Sequence, residues 1–298
     1  MKTACDQLRE IMDQVSLVDE EKFRLLIIGK TGCGKTTILS KVCGENVADK
    51  PSEFRGVHDI HKEMEFKENR HLVVHDSEGF EAGRKREFQV VKRFIESRSR
   101  KKKFSEQLHA IWYCLQTNSR PIQQSEKSFF AHSSFKLVPV IAIFTKFDLF
   151  VQDQLQNIME CEEADEDEDV YDDEATTDSD LDSNEGSGQP FQVFEERAKL
   201  LASQKFEEHY KNVLMQMPHP PKAVVELSDL HDSTPKASRL GSLIEATMEA
   251  LTVTDKSMAK DDPRQRLRAL FAKAQMAEVS PKISLSVKCV FHSSYKRR

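Results

Sequence analysis

The stretch Gly29-Lys30-Thr31-Gly32-Cys33-Gly34-Lys35-Thr36 matches the pattern Gly-x-x-x-x-Gly-Lys-Ser/Thr at every required position. It follows an apolar run, Phe23 to Ile28, that is typical of a buried strand, and it leads into Lys35 to Cys43, where apolar residues have helical spacing. Glycines let the backbone turn its N–H groups toward phosphate oxygens, and the helix adds its positive N-terminal end. The stretch therefore predicts a phosphate-binding loop between a strand and a helix.

The residue types of this loop suit a nucleoside polyphosphate with Mg²⁺. Lys35 is predicted to contact the β- and γ-phosphates and to stabilise charge there, which makes it the candidate catalytic residue. Thr36 supplies a hydroxyl for Mg²⁺, and Thr37 lies where an α-phosphate contact is expected. Every residue from Gly29 to Thr37 is thus a candidate nucleotide contact. An empty glycine-rich turn is the alternative, and the strand–loop–helix context disfavours it.

A second candidate element, Asp76-Ser77-Glu78-Gly79, follows the predicted strand His71 to His75. The carboxylate of Asp76 is placed to hold Mg²⁺ through water, and the amide of Gly79 is placed near a γ-phosphate. An isolated Asp-x-x-Gly sequence is more often only a turn, so the assignment of this element depends on the other motifs in the chain.

A third element, Thr145-Lys146-Phe147-Asp148, follows the predicted strand Val138 to Phe144 and fits the guanine-reading pattern Asn/Thr-Lys-x-Asp. The carboxylate of Asp148 accepts two hydrogens from the guanine edge, whereas adenine presents an acceptor there and leaves the carboxylate unpaired. Lys146 is expected to lay its aliphatic stem along the base. On its own the element also fits a solvated loop.

Ser228-Asp229-Leu230 follows the last predicted strand, Ala223 to Leu227, and occupies the place of a final base-contacting loop. Ser228 and Asp229 are the candidate contacts, although the sequence of this loop is too degenerate to identify it alone. The order of the elements carries the argument, because each follows the carboxyl end of a different predicted strand. Such ends line the ligand crevice of open α/β sheets.

The rest of the pattern predicts a three-layer α/β fold, with a mainly parallel sheet covered by helices. Met64 and Phe66 alternate shortly before His71 and predict one antiparallel strand, joined by a turn around Glu68 and Asn69. One further strand is predicted over Leu108 to Leu115. The remaining predicted helices are Arg86 to Arg98, Gln123 to His132, Phe191 to Met215 and Ser238 to Leu251.

Charged residues make up 32% of the 298 residues, but the net charge of −6 is unevenly distributed. The segment Glu160 to Gly188 holds 15 Asp or Glu and no Lys or Arg, which predicts disorder over about residues 160–189. The predicted domains are a helical lead-in over residues 1–22, a nucleotide-binding domain over residues 23–252 and a polar tail over residues 253–298 with a helix from Pro263 to Met276.

The cysteine pattern and the hydropathy predict a cytoplasmic protein. The six cysteines show no paired metal-ligand spacing, and no apolar run is long enough to cross a bilayer. The start of the chain shows no secretion signal, and neither end carries a lipidation motif. We therefore expect reduced thiols and no membrane anchor.

Together these motifs resemble the translation-factor-like class of P-loop GTPases, with Era-like and AIG1-like G domains among the nearer relatives. The resemblance covers Phe23 to Leu251 and implies a P-loop G domain that binds GTP or GDP with Mg²⁺ and hydrolyses GTP at the γ-phosphate. Three shorter stretches resemble uncharacterised fungal G-domain proteins: Gly56-Val57-His58-Asp59-Ile60, His75-Asp76-Ser77-Glu78-Gly79-Phe80-Glu81 and His109-Ala110-Ile111-Trp112-Tyr113-Cys114.

Two positions depart from this resemblance. Val57 stands where the relatives carry a metal-binding switch I threonine, so the metal loses an oxygen ligand unless Ser52, Asp59 or water replaces it. Phe80 stands where Ras-like proteins carry the glutamine that orients the attacking water. Two hypotheses follow: a slow GTPase assisted by another group, a partner or a dimer mate, or a pseudo-GTPase that acts as a nucleotide-dependent interaction module. Glu78, Glu81 and His58 are candidate substitutes, although solvated loop side chains fit the pattern better.

The remaining polar residues favour structural interpretations. His75 and His109 lie beside or within predicted strands and are interpreted as hydrogen-bonded core histidines. Cys33 is interpreted as a small packed side chain, with sensitivity of nucleotide binding to thiol modification as the alternative. The basic run at Arg98 and residues 100–103 fits a helix end, with a docking patch for an anionic partner as the alternative. No nucleic-acid module is recognised, so no nucleic-acid function is predicted, and a protein partner is expected.

Overall fold

The computed structural model describes residues 22–43, 59–66, 71–77, 85–117, 122–132, 138–168, 191–231 and 240–251. Its strands are β1 (Phe23–Gly29), β2 (Met64–Glu65), β3 (Leu72–Asp76), β4 (Ala110–Gln116), β5 (Val140–Thr145) and β6 (Ala223–Leu227). Its helices are α1 (Lys35–Cys43), α2 (Lys85–Ser99), α3 (Gln124–Ala131), α4 (Phe147–Glu168), α5 (Phe191–Phe206), α6 (Asn212–Met215) and α7 (Gly241–Ala250). A 3₁₀ turn covers Phe104–Glu106, and a π-helical turn, Glu207–Lys211, joins α5 to α6.

The strands form one sheet in the order β2-β3-β1-β4-β5-β6. All neighbouring strands are parallel except β2, which pairs antiparallel with β3. Every residue of β1 is buried, as expected for a central strand of a parallel sheet that is covered on both faces. The arrangement confirms the predicted α/β class and the single antiparallel strand.

The sheet separates two apolar cores, and alternate residues of β4 belong to opposite cores. Trp112 and Cys114 pack with residues of α1 and α7, whereas Tyr113 and Leu115 pack with residues of α2, α3 and α5. Within the first core the indole N–H of Trp112 donates to the hydroxyl of Thr247 at 3.1 Å. The sheet with helices on both faces makes three layers. Parallel pairing puts the carboxyl ends of the parallel strands at one edge of the sheet.

Helix α4 corrects the predicted disordered stretch, because residues 160–168 are helical. The helix begins on an apolar stripe in which Phe147, Phe150 and Ile158 are buried, and it continues with residues that propagate a helix once it has started. The outer part is also tied to α5 by an ion pair of 2.9 Å between Arg197 and Glu162. The acidic composition predicted disorder over residues 160–168, whereas helix α4 continues through them.

One predicted helix contains an irregular turn, and several other predictions fall outside the described residues. The helix predicted over Phe191 to Met215 is interrupted by the π-helical turn, which displaces the regular hydrogen bonding within it. Four predicted features lie outside the described residues: the lead-in up to residue 21, the turn at Glu68 and Asn69, residues 169–189, and the helix from Pro263 to Met276. The division into domains stays a prediction.

A buried arginine links β1 to its neighbours. Arg24 is 6% exposed, and its guanidinium donates to Glu63 Oε1 at 2.6 Å and to His75 Nε2 at 2.7 Å. The other ring nitrogen of His75 then donates to the carbonyl oxygen of Ile60 at 2.8 Å. Burial is the main cause that lowers the pKa of His75, to about 4, and the charge of Arg24 adds to it. His75 is therefore a neutral, hydrogen-bonded core residue.

His109 is the second structural histidine. Its Nδ1 accepts the backbone N–H of Arg24 at 2.9 Å, so Nε2 carries the proton that it donates to the carbonyl oxygen of Phe104 at 3.1 Å. The rings of Phe104 and Phe23 lie 4.7 Å and 5.3 Å from it. Burial lowers the pKa of His109 to about 4, so the folded chain keeps this ring neutral.

This shift predicts a loss of stability in acid. In the unfolded chain the ring takes up a proton near pH 6.5, whereas the folded chain resists protonation until about pH 4. The stabilisation by neutral His109 is therefore complete above pH 6.5 and is lost as the pH falls toward 4, by roughly 3 kcal/mol in total. Denaturant unfolding at several pH values measures it, and the His109→Gln variant should show a shallower pH dependence. An unchanged pH dependence in that variant contradicts the assignment.

Candidate functional site

The carboxyl ends of the parallel strands meet at one edge of the sheet. Ile27 lies opposite Asp76, and Gly29 lies opposite Cys114. Thr145 is opposite both Gln116 of β4 and Leu227 of β6. The strand register therefore brings the predicted phosphate loop, Asp76, the Thr145–Asp148 element and the Ser228–Asp229 loop to the same side of the molecule.

The loop from Gly29 to Thr36, here called the P-loop, is curled around the side chain of its lysine. Lys35 Nζ donates to the carbonyl oxygens of Gly29 at 2.8 Å and of Lys30 at 3.1 Å. Gly32 and Gly34 have φ values of 76° and 81°, which only glycine adopts without strain. The N–H of Ile38 donates to the carbonyl oxygen of Gly34 at 3.0 Å, which continues the loop into helix α1. The side chain of Lys35 is thus held by the carbonyl oxygens of the loop, and the loop leads into the N-terminus of helix α1.

Thr145 supports the P-loop from below. Its side chain is 1% exposed, and its hydroxyl lies 3.0 Å from the carbonyl oxygen of Cys33 and 3.1 Å from that of Leu115. A Cβ on Gly34 would lie 3.4 Å from Thr145 Cγ2, so the loop passes directly over this side chain. The threonine therefore contributes to the site by positioning the P-loop.

The two loops predicted to read the base contact each other. The N–H of Asp229 donates to Asp148 Oδ1 at 3.0 Å and orients that carboxylate. Lys146, with φ of 59°, and Asp229, with φ of 50°, are the described non-glycine residues with positive φ. Lys146 is exposed, and its carbonyl oxygen accepts the hydroxyl of Thr117 at 3.3 Å. The contact joins the loop of half-buried Ser228 and Asp229 to the start of α4, where Asp148 lies.

The two predicted metal ligands both lie at this edge. Asp76 is the last residue of β3 and is half-buried, and Thr36 is exposed in the first turn of α1. One hydroxyl and one carboxylate are oxygen ligands of the kind that Mg²⁺ prefers when water and phosphate complete its coordination. Within the described residues no group of three or more His, Cys, Asp or Glu could hold a metal by itself. The residues therefore fit a magnesium ion that is bound together with a phosphate.

Lys30 and Glu126 form a contact that sequence reasoning missed. Lys30 Nζ lies 2.8 Å from Glu126 Oε1, and the Glu126 side chain is only 4% exposed. The hydroxyl of Ser125 donates to the other carboxylate oxygen at 3.0 Å. The contact joins the P-loop to α3. In the sequence, the feature that could have indicated it is a glutamate on the same helical stripe as Phe129 and Phe130.

Thr117 is the second residue that was missed. It directly follows β4, so the rule that functional residues come after strand ends would have selected it. Its hydroxyl donates to the carbonyl oxygen of Lys146, which joins the carboxyl end of β4 to the element predicted to read the base.

The close approach of β4 to Gly29 predicts a large effect of Gly29→Ala. A Cβ there would lie 2.4 Å from the carbonyl oxygen of Cys114, and the φ of 149° disfavours any side chain. Steric overlap and backbone strain should together destabilise the fold by roughly 3 kcal/mol. Gly32→Ala is the control, because its Cβ meets only Gln116 Nε2 at 3.9 Å.

Urea unfolding followed by fluorescence of Trp112, the chain's single tryptophan, measures both variants. The Gly32→Ala variant should lose roughly 1 kcal/mol from its positive φ alone. Equal losses in the two variants contradict the close approach at Gly29.

Several residues of the sequence argument are not placed. Gly79 and the positions of the predicted departures, residues 57 and 80, lie outside the described residues, as do residues 52, 58, 78 and 81. Asp59 is described, and its Oδ1 accepts the N–H of His61 at 2.9 Å in a local turn.

The basic run is partly tied down. Arg98 pairs with Glu63 at 3.2 Å and donates to the carbonyl oxygen of Glu106, whereas residues 100–103 are exposed. Arg98 therefore has the structural role expected of a helix end, and an exposed cationic surface remains beside it.

Comparison with known proteins gives one family match. Residues 24–146 match the family model described as 50S ribosome-binding GTPase, a segment that runs from β1 through the P-loop to Lys146. No curated protein matches the chain. In the described part of the chain, no helix is both long enough and apolar enough to span a membrane. The match and the α/β fold together support guanine-nucleotide binding, and residues 24–146 are similar to the G domain of P-loop GTPases.

Proposed function

We propose that this protein binds GTP and GDP with Mg²⁺ and hydrolyses GTP slowly or with the help of a partner. The observation that carries the proposal is the meeting of the P-loop, Asp76 and the Asp148–Asp229 contact at one edge of the sheet. A phosphate site alone would fit many nucleotides. The contact between Asp148 and Asp229 adds a group that can select the base.

The phosphate half of the site consists of the P-loop and the start of α1. Lys35 is already directed to the loop carbonyls, so a short movement of its ammonium group serves the β- and γ-phosphates. The backbone N–H groups of the loop and of Thr37 would bind the remaining phosphate oxygens, assisted by the helix N-terminus.

The base half of the site depends on Asp148. One of its oxygens accepts the Asp229 N–H, and the carboxylate keeps lone pairs on both oxygens for the two hydrogens of the guanine edge. Exposed Lys146 can cover one face of the base with its methylene chain. Adenine would leave the carboxylate facing an acceptor, which explains the expected preference for guanine.

Thr36 and Asp76 are the residues that would hold Mg²⁺. When bound, Mg²⁺ neutralises phosphate charge. Hydrolysis would be in-line attack of water on the γ-phosphate, with Lys35 and the loop amides stabilising the charge that develops. Val57 and Phe80 carry no hydrogen-bonding side chains, so we expect this step to be slow in the isolated protein.

The alternative function is a nucleotide-dependent interaction module, a pseudo-GTPase, and Val57 with Phe80 favours it. Single-turnover release of phosphate from prebound GTP separates the two functions. A GTPase should release one phosphate per bound GTP over minutes to hours, and Lys35→Ala should abolish release. Release no faster than in that variant, with GTP still bound in the wild-type protein, rejects hydrolysis and leaves the interaction module.

We propose a cytoplasmic setting for this protein. The predicted thiols and hydropathy favour a cytoplasmic protein, and the expected slow hydrolysis favours a protein partner or a nucleotide-dependent dimer. We retain the domain division at residues 23–252 as part of this proposal.

A further inference from the structure

Two cysteines lie against each other beneath the P-loop. Cys33 belongs to the loop and Cys114 to β4, and each is 1% exposed. A Cβ on Gly29 would lie 2.6 Å from Cys33 Sγ and 3.1 Å from Cys114 Cβ. The glycine thus leaves the space that the two cysteine side chains share.

We propose that Cys33 and Cys114 form a peroxide-reactive thiol pair whose disulfide bond weakens nucleotide binding by the P-loop. The cavity beside the loop is lined by both cysteines together with Lys30, Gln116 and Glu126. Because the cavity borders both cysteines, it is the side from which a small oxidant would approach them. Disulfides in reducing compartments are usually transient and redox-sensing, and such a pair fits that use.

The two thiols have different reactivity. The hydrogen bond from the Cys114 thiol is the main cause that lowers the pKa of Cys33; burial opposes it, and the ammonium group of Lys35 adds to it. Burial raises the pKa of Cys114 well above its usual range. Cys33 is therefore the attacking thiolate, and Cys114 is the thiol that resolves the intermediate.

The reaction is balanced with hydrogen peroxide as the oxidant. The Cys33 thiolate attacks one peroxide oxygen, the O–O bond breaks, and the departing hydroxide takes up the proton released by the Cys33 thiol to form water. The Cys114 thiol then attacks the sulfenic sulfur, the S–S bond forms, and the hydroxyl leaves with the thiol proton as a second water. The two thiols lose two electrons and the peroxide gains them.

The disulfide would displace the P-loop. Its sulfur atoms are about 2.05 Å apart, much closer than hydrogen-bonded thiols. Cys33 is joined to Thr145 through its carbonyl oxygen at 3.0 Å and to Lys30 through its N–H at 3.2 Å. Drawing Cys33 toward β4 therefore moves the backbone that surrounds Lys35. This consequence rests on the proposed nucleotide-binding function, whereas formation of the disulfide does not.

The test uses the full chain and hydrogen peroxide. After oxidation the protein is alkylated, digested without reduction and analysed by mass spectrometry, and its affinity for fluorescent GDP is measured before oxidation, after oxidation and after reduction with dithiothreitol. We expect a peptide pair that links Cys33 to Cys114 and an affinity at least tenfold lower, restored by the reductant.

Two variants provide controls. Cys161→Ser removes an exposed thiol on α4. This variant should still form the linked peptide and still lose GDP affinity after oxidation. Cys114→Ala, with folding checked by thermal unfolding, should bind GDP when reduced, form no linked peptide and keep its affinity after oxidation.

Three results overturn the proposal. The first is that no linked peptide forms although oxidation of exposed Cys161 shows that the peroxide reacted. The second is a linked peptide with unchanged GDP affinity. The third is a loss of GDP affinity in Cys114→Ala equal to that of the wild-type protein. If the reduced wild-type chain binds no GDP, the proposed function fails, while the linked peptide still decides whether the thiol pair reacts.

Discussion

Lys35→Ala is expected to lower the affinity for GDP and GTP by about 100-fold or more. Removing one partner of a close charge pair costs about 2–5 kcal/mol, and each 1.4 kcal/mol is a factor of ten in affinity. The variant also loses the two hydrogen bonds that hold the carbonyl oxygens of Gly29 and Lys30. Titration with a fluorescent guanine nucleotide measures the loss.

Lys127→Ala is the matched control, because Lys127 is exposed on α3 and lies outside the nucleotide elements. It removes the same charge from the chain and should leave the affinity within a factor of two. Wild-type affinity in Lys35→Ala, with the fold intact by circular dichroism, contradicts the assignment of the phosphate site.

Asp148→Asn is expected to change the base that the protein prefers. The amide can no longer accept both hydrogens of the guanine edge, so GDP affinity should fall by about 100-fold or more, as two charge-assisted hydrogen bonds are weakened or lost. Xanthine presents an acceptor that pairs with the new amide hydrogens, so XDP should bind better than GDP. The Asn oxygen can still accept the N–H of Asp229, which keeps the two loops together.

Asp153→Asn supplies the comparison, since Asp153 is exposed on the same helix and makes the same change in charge. Its affinities for GDP and XDP should match those of the wild-type protein. Competition between the two nucleotides measures the preference in both variants. An Asp148→Asn protein that binds GDP as tightly as wild type removes the guanine-reading assignment.

The sheet and the outline of the site could be predicted because each depends on local signals. Apolar runs such as β1 and β6 are bounded by polar loops, and β6 has the predicted limits, Ala223–Leu227. The strand-end rule then placed the P-loop, Asp76 and Asp148 on one edge without knowledge of any contact. The register of the sheet brings the strand ends that precede these residues to one edge.

The missed features depend on contacts between distant parts of the chain. Arg24 donates to His75, 51 positions away, and Lys30 pairs with Glu126 of a separate helix. Nothing near Cys33 in the sequence indicates that Cys114 lies against it, because the contact arises from the pairing of β1 with β4. Helix α4 was missed for a different reason, since its acidic end hid the apolar stripe at its start.

The central claim is that the site selects a guanine nucleotide, and competitive binding tests it most directly. GTP, GDP and ATP are titrated against a fluorescent guanine nucleotide bound to the purified full chain, with Mg²⁺ and with a chelator. We predict that GTP and GDP compete at least 100-fold better than ATP, as expected when a polar site faces a base that leaves it unpaired, and that Mg²⁺ strengthens GTP binding. Equal competition by ATP, or no binding of guanine nucleotide at all, would contradict the account.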